Sequence, residues 1–171
     1  KGKNKKNVDL VTSVAHVYLD AGKLTEAQEY LAMAKKADNK DPKVSVLEGD
    51  IALAQKNIGQ ACQLYEQAIY FDPNCKEAYL KYAQAYKSAS PALAIEKLEQ
   101  LKTVDPNCLE ADRELAEVYY SSNRFGKAAE MYAKFIDTPL ATEDDMLKYA
   151  FALFLNHDFE TVSYTHLRAH E

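Results

Sequence analysis

The sequence predicts an all-α fold built from a repeated pair of antiparallel helices, and three observations lead to this prediction. Glycine and proline number only five each among 171 residues, which is too few for a turn-rich all-β protein. Alanine, leucine, lysine, glutamate and tyrosine are plentiful, and this composition favours helices. Finally, an internal repeat with a period of 33 to 34 residues indicates an array of helical pairs.

The repeat is clearest at four alanines, Ala27, Ala61, Ala94 and Ala128, which lie 34, 33 and 34 residues apart. A large side chain follows four residues after each alanine, and these are Leu31, Tyr65, Leu98 and Tyr132. Apolar residues at helical spacing indicate two helices in each unit. The first helices of the units are predicted at 8–21, 43–56, 76–88, 109–122 and 143–156. The second helices are predicted at 25–37, 58–71, 91–103 and 125–137.

Local signals predict where several helices begin and end. Gly22 is suited to end the first helix, because glycine adopts the left-handed conformation that closes a helix. Thr25 and Gln28 form the pattern of a capping box at the start of the second helix. Ser90 followed by Pro91 predicts a helix with proline in its first turn. The third unit is one residue shorter than the others, and we expect the deletion in the turn before Pro91.

A small residue occupies the middle of each first helix, at Ala15, Gly49, Ala83, Ala116 and Ala150. With aromatic residues three positions later, at Tyr18, Tyr86 and Tyr119, this pattern resembles the tetratricopeptide repeat. The tryptophan that often occurs early in the family's first helix is absent from all five units. The resemblance covers residues 8–160 and implies a right-handed solenoid. Its four full repeats would be 8–41, 42–75, 76–108 and 109–142, followed by a half repeat at 143–160.

The two ends of the chain differ from the repeats. Residues 1–7 form a basic lead-in with four lysines, and we interpret it as the remnant of a longer chain. Residues 162–171 resemble the translated sequence of a transposase-type sequencing adapter, which encodes all ten residues in one frame. We therefore interpret 161–171 as an adapter-derived tail and expect it to have no consistent packed role.

The charge of the repeats argues against nucleic acid as a partner. Residues 7–161 carry 16 basic and 25 acidic groups, and an acidic surface repels phosphate backbones. No run of eighteen apolar residues is present, so no transmembrane segment is expected. The three cysteines have no C-x-x-C spacing, which argues against a disulfide framework and favours a reducing, cytoplasmic location. A periplasmic location stays open, because a signal sequence could precede residue 1.

Residue types that carry catalysis or hold metals form no recognisable site in the sequence. Cys75 and Cys108 recur at one repeat position after Asp-Pro-Asn, where we interpret them as small turn residues rather than half of a metal site. Cys62 is interpreted as a packing residue. His166 and His170 have the spacing of metal ligands on a helix, but they fall in the adapter-like tail. Because phosphate-binding and nucleophile motifs are also absent, we expect no enzyme activity, cofactor or metal site.

The resemblance implies that function lies on the surface of the first helices, which line a concave groove in this family. The groove positions of this sequence are Thr12, His16, Leu19, Val46, Asp50, Leu53, Leu80, Gln84, Lys87, Arg113, Glu117, Tyr120, Leu147, Phe151 and Phe154. Their mixture of apolar and charged side chains suits an extended or helical apolar segment. We therefore expect a non-catalytic scaffold that binds a peptide or helix of a partner protein in this groove.

Other interpretations stay open from the sequence. Family members that bind a terminal carboxylate use a clamp of lysine, asparagine and arginine, whereas the clamp positions here hold Thr12, His16, Leu47, Glu77 and Lys81. Only Lys81 is a fixed cation, which argues against carboxylate binding. The groove residues are alternatively solvent-facing or covered by further repeats. The repeats are alternatively an arm of a larger enzyme or of a secretion or assembly machine, or a self-associating array.

Overall fold

The computed structural model of the chain describes the backbone of residues 2–168 and the side chains of residues 7–156. All regular secondary structure within these residues is α-helical. The chain divides into two compact units, of which the first ends at Ser90 and the second begins at Pro91. Within each unit, consecutive helices pack against each other.

The described residues of the first unit form five helices: α1 (Gly2–Asp20), α2 (Leu24–Asp38), α3 (Pro42–Ala54), α4 (Ile58–Phe71) and α5 (Lys76–Tyr86). Two apolar clusters form the core of this unit. One joins α1, α2 and α3, and both Val8 and Leu47 are fully buried in it. The other joins α3, α4 and α5 around Tyr65 and Tyr82. Because α3 contributes to both clusters, it connects the first helical pair to the second.

The described residues of the second unit form four helices: α6 (Pro91–Val104), α7 (Leu109–Ser121), α8 (Phe125–Tyr132) and α9 (Glu143–Arg168). α7 packs against α6 and α8, and α8 also packs against α9. The largest fully buried side chains of this unit include Leu98, Tyr132 and Phe135. As in the first unit, the core forms where successive helices cross.

Burial confirms the repeat register that the sequence predicts. Ala27, Ala61, Ala94 and Ala128 are all 0% exposed. The small residues of the first helices are buried in the first four repeats. Ala150 on α9 is instead exposed, because no helix follows α9 among the described residues. The alanine spacing therefore marks the helix crossings of the four full repeats.

Gly49 marks the closest approach between α3 and α4. A Cβ atom at this position would lie 2.5 Å from Cε1 and 2.8 Å from Cδ1 of the Tyr65 ring. Ordinary van der Waals contact needs at least 3.4 Å. The crossing of these two helices is therefore built around the missing side chain of glycine.

Three turns between paired helices share one hydrogen-bonding pattern. Gly22, Lys56 and Asn123 adopt left-handed backbone conformations with φ of 72°, 62° and 58°. The N–H of each donates to the carbonyl three residues earlier, and the next N–H donates five residues back, which closes the helix. The prediction that Gly22 ends the first helix is thus confirmed. In the shortened third repeat, the Ser90 N–H donates to the Tyr86 carbonyl instead.

The capping box predicted at Thr25 is wrong. α2 begins at Leu24 with Lys23 as its N-cap, so Thr25 lies inside the first turn and no side chain caps the helix. A reciprocal box occurs instead at the start of α9. The Thr142 N–H donates to the Asp145 carboxylate at 2.8 Å, and the Asp145 N–H donates to the Thr142 hydroxyl at 3.3 Å.

Three helix limits differ by more than two residues from those predicted. α1 begins at Gly2 rather than residue 8, because the apolar periodicity that predicts helices starts only at Val8. α8 ends at Tyr132 rather than residue 137, and the chain continues as turns that still bury Phe135. α9 continues to Arg168, through part of the adapter-like segment. The side chains of that segment lie outside the described residues, so its expected lack of a packed role stays a prediction.

Candidate ligand-binding surfaces of the first helices

In the first unit, helix packing covers two of the predicted groove residues. Thr12 and Val46 line a shallow depression together with Asp9 and Lys43. However, only 4% of Thr12 and 1% of Val46 is exposed. The Thr12 hydroxyl donates to the Val8 carbonyl at 2.9 Å and so is already engaged. Both side chains are therefore largely covered by packing within this unit, and their assignment to a ligand-binding surface stays a prediction.

An ionic cluster around Asp50 lies at the centre of the first-helix surface of this unit. Asp50 is 8% exposed, and its carboxylate accepts from the Tyr65 hydroxyl and the Lys81 ammonium, each at 2.7 Å. His16 Nε2 lies 3.0 Å from the same carboxylate. Burial alone would raise the pKa of Asp50, but hydrogen bonds from these three partners lower the pKa below its ordinary value. The cluster joins residues of α1, α3, α4 and α5.

Both ring nitrogens of His16 face hydrogen-bond acceptors. Nδ1 lies 2.9 Å from the Thr12 carbonyl, and Nε2 lies 3.0 Å from the Asp50 carboxylate. Only the doubly protonated ring can donate to both acceptors at once. Accordingly, the hydrogen bond with Asp50 raises the pKa of His16. His16 and Asp50, which the sequence assigned to the groove, are therefore engaged with each other rather than free for a ligand.

The other groove residues of the first unit are partly accessible. Leu19 and Leu53 line a second depression beside the ionic cluster and are half-buried. Leu80 and Lys87 are also half-buried, whereas Gln84 is exposed. The apolar groove surface of this unit thus consists of three leucines that each present only part of their side chain.

Two positions of the carboxylate clamp, His16 and Lys81, contact the same Asp50 carboxylate. Lys81 is paired with Asp50 at 2.7 Å. Leu47 is 0% exposed and Thr12 only 4%. Lys81 and His16 thus contact the same buried carboxylate, and the expectation that a terminal carboxylate is not the ligand stays a prediction.

The second unit contains the same acid cluster at equivalent positions. Glu117 on α7 accepts from the Tyr132 hydroxyl and from the Lys148 ammonium, each at 2.9 Å. Burial raises the pKa of Tyr132, which keeps its hydroxyl protonated as a donor. These three residues lie 67 positions, or two repeats, after Asp50, Tyr65 and Lys81. In both units, an acid on a predicted groove position therefore connects helices of successive repeats.

The pairing of these acids with tyrosine and lysine was not predicted from the sequence. Tyr65 and Tyr132 were expected to be large packing residues only, and Lys148 was assigned no role. A recurrence of acid, tyrosine and lysine at a spacing of two repeats is the signal that could have revealed them. Two further groove residues of this unit also have internal partners. Arg113 pairs with Asp145 at 3.0 Å, and the Tyr120 ring packs edge-on against Phe125 at 5.6 Å.

The large apolar groove residues that are exposed all lie on α9. Leu147, Phe151 and Phe154 are 56%, 50% and 60% exposed, and they line an open depression together with Ala150. Because they recur at positions i, i+4 and i+7, they lie on one face of the helix. We call these four residues the α9 stripe. It is the most exposed apolar part of the predicted groove.

The cysteines and histidines assemble no metal site in the part of the chain that the structure describes. Cys62 is 3% exposed on α4, while Cys75 and Cys108 occupy the N-cap positions of α5 and α7, and none of the three forms a disulfide. His166 and His170 lie outside the described side chains. None of the described helices combines the length and apolarity that a membrane span requires.

These features define a helical-repeat protein whose first helices carry ion pairs between repeats and an accessible apolar stripe. The tetratricopeptide repeat model matches residues 15–74 and 84–141, which is more than half of the chain. The chain therefore belongs to the tetratricopeptide repeat family, and the predicted all-α fold of that type is confirmed. By sequence, no curated protein matches it.

Solved structures of similar fold include PilF of Pseudomonas aeruginosa, at 17% identity and a TM-score of 0.80, over 93% of this chain and 72% of that one. A thermophilic tetratricopeptide repeat protein from Thermus thermophilus matches at 19% identity and a TM-score of 0.72, over 90% and 84% of the two chains. The first TPR of Spaghetti (RPAP3), bound to the HSP90 peptide SRMEEVD, matches at 18% identity and a TM-score of 0.59, over 69% of this chain and 97% of that one. At these identities the likeness concerns the fold alone.

Proposed function

We propose that this chain is a non-catalytic scaffold that binds a helix or short peptide segment of a partner protein at the α9 stripe. The observation that carries the proposal is the exposure of Leu147, Phe151 and Phe154 on one helix face. A contiguous apolar patch of this kind is unfavourable in water and is typical of a protein-interaction site. Burial of these side chains by a partner removes that apolar surface from water.

Family membership supports this proposal. Proteins of tetratricopeptide repeats are generally interaction scaffolds, and the similar domain of Spaghetti was solved with a bound HSP90 peptide. Leu147, Phe151 and Phe154 occupy the first-helix positions that line the ligand groove in this family. The ligand proposed for this chain is apolar, because the large groove side chains that are most exposed are Leu147, Phe151 and Phe154.

The dimensions of the α9 stripe suit a short helical segment. From Leu147 to Phe154 the helix advances by seven residues, or about 10 Å at 1.5 Å per residue. That distance corresponds to about two turns of a partner helix, whose apolar residues would recur at i, i+3 or i+4, and i+7. A partner of this size can cover all three large side chains at once.

Substitution of Phe151 tests the proposal against a matched control on the same helix. Phe151→Glu should weaken binding of the partner by about 2 kcal/mol, as for loss of a central interface residue. Its unfolding temperature should change little, because the side chain is 50% exposed. Leu153→Glu introduces the same charge about 160° around the helix, where the native leucine is also exposed. This control should leave binding intact.

The measurement is quantitative capture with the whole chain as bait and a lysate of the source cells. Proteins enriched by the wild type should be lost with Phe151→Glu and retained with Leu153→Glu. Equal capture by both variants would show that the α9 stripe is not the binding surface. Loss of capture together with a large drop in unfolding temperature would show that Phe151 is a core residue, which also contradicts the proposal.

A further inference from the structure

We propose that the segment bound at the α9 stripe is a basic amphipathic helix, with lysine or arginine bordering its apolar face. This inference rests on the proposed function, because it specifies the chemistry of the ligand for the same surface. It is carried by the charges around the stripe, which come from α7 and from the first two turns of α9. Those charges leave an excess of carboxylate at the rim of an exposed apolar face.

The cations beside the α9 stripe are Arg113 on α7 and Lys148 on α9, and both are already paired with carboxylates. Arg113 pairs with Asp145 at 3.0 Å, and Asp145 is 1% exposed. Lys148 lies 2.9 Å from Glu117 and 2.7 Å from Asp144. Because one lysine is shared by two carboxylates, the group of Lys148, Glu117 and Asp144 keeps a net charge of −1. Neither cation is therefore available to attract an acidic ligand.

Two exposed carboxylates continue the face of the stripe toward the start of α9. Glu143 and Asp144 precede Leu147 by four and three residues, so they lie on the same side of the helix one turn earlier. Asp144 is 67% exposed in spite of its contact with Lys148, and Glu143 is also exposed. A basic residue at one end of a bound helix would therefore meet these carboxylates while its apolar face covers the stripe.

The net negative charge of the second unit also favours a basic ligand. Residues 91–156 carry 12 acidic and 7 basic side chains. Like charges brought together at an interface repel, and complementary charges speed association and select the partner. An acidic helix is thus disfavoured at this surface. A second copy of the chain is disfavoured for the same reason, since it would bring a second α9 with the same carboxylates.

Two synthetic amphipathic peptides provide the test. They share the same apolar face, but their polar faces carry opposite charges. Both carry the same leucine and phenylalanine residues at helical spacing, and the polar positions are lysine in one peptide and glutamate in the other. Binding to the whole chain is measured by fluorescence anisotropy at about 50 mM and about 500 mM salt, which differ in screening length by a factor of about three. A third peptide has the lysine composition with a scrambled apolar pattern.

The lysine peptide should bind at least about tenfold more tightly than the glutamate peptide at low salt, and this advantage should shrink at high salt. Glu143→Gln combined with Asp144→Asn should reduce the advantage. The matched control, Glu130→Gln combined with Asp137→Asn, removes two exposed acids elsewhere in the unit and should not. Phe151→Glu should abolish binding of the lysine peptide, and the scrambled peptide should bind weakly.

Three results would overturn the inference. The glutamate peptide could bind as tightly as the lysine peptide, with both lost on Phe151→Glu; the proposed function would then stand and only the charge preference would fall. The scrambled lysine peptide could bind as tightly as the patterned one, which would show non-specific attraction. Finally, the chain could self-associate in solution with a dimer abolished by Phe151→Glu, which would identify a second copy as the occupant.

Discussion

Gly49→Ala should destabilise this protein even though alanine is the better helix former. In an unobstructed helix interior, replacing glycine by alanine stabilises by about 1 kcal/mol. At Gly49 the new Cβ would lie 2.5 Å and 2.8 Å from two carbons of the Tyr65 ring. That ring is 0% exposed, and its hydroxyl donates to Asp50, so it cannot simply rotate away. Overpacking costs about 1–3 kcal/mol, and because contacts this short favour the upper part of that range, the net loss should be about 1–2 kcal/mol.

Thermal unfolding followed by circular dichroism measures this loss. In a chain of this size, 1 kcal/mol corresponds to about 2–4 °C, so the unfolding temperature should fall by about 2–8 °C. Gly59→Ala is the matched control, because a Cβ at Gly59 would meet nothing within 4 Å. That substitution keeps the helix-propensity gain and should leave the unfolding temperature equal or higher.

A second variant identifies the ring of Tyr65 as the cause. At the equivalent positions, the first repeat has Ala15 and Leu31. Gly49→Ala combined with Tyr65→Leu therefore gives the second repeat the same two residue types. In the Tyr65→Leu background, Gly49→Ala should cost nothing. The fourth repeat has Ala116 and Tyr132 at the equivalent positions, both fully buried, so we attribute the cost at Gly49 to helix spacing in the second repeat rather than to an incompatible residue pair. If Gly49→Ala raises the unfolding temperature as Gly59→Ala does, the packing argument is wrong.

Two further predictions concern the core and the ionic cluster. Ala61→Leu should lower the free energy of unfolding by about 1–3 kcal/mol through overpacking, whereas Gln63→Leu on the exposed side of α4 should be nearly neutral; equal shifts in thermal unfolding would contradict the repeat register. The raised pKa of His16 means that its stabilising contribution is fully present below the ordinary value of 6.5 and is lost as the pH rises through the raised pKa. His16→Gln should therefore lower the free energy of unfolding more at about pH 5.5 than at about pH 8.5 in urea titrations. The lowered pKa of Asp50 keeps it ionised at both values, and an opposite trend would refute the proposed protonation of His16.

The repeat architecture was determined by the sequence alone, because its signals are local and periodic. The alanines at 33- and 34-residue spacing are fully buried where helices cross. Gly22 ends α1 in the left-handed conformation that glycine readily adopts. The same local reasoning failed at Thr25. Whether a hydroxyl caps a helix depends on the residue at which the helix begins, and α2 begins one residue earlier, at Leu24.

Only the tertiary structure decided which groove residues are available to a ligand. Asp50 is occupied by His16 and Lys81, which lie 34 and 31 residues away in sequence, and Glu117 is occupied by Lys148. The sequence analysis did not single out Asp112, yet Asp112 is 2% exposed and paired with lysines of α6 and of the turns after α8. A residue's exposure depends on which distant side chains reach it. Periodicity places a residue on a helix face but does not record whether another repeat supplies its partner.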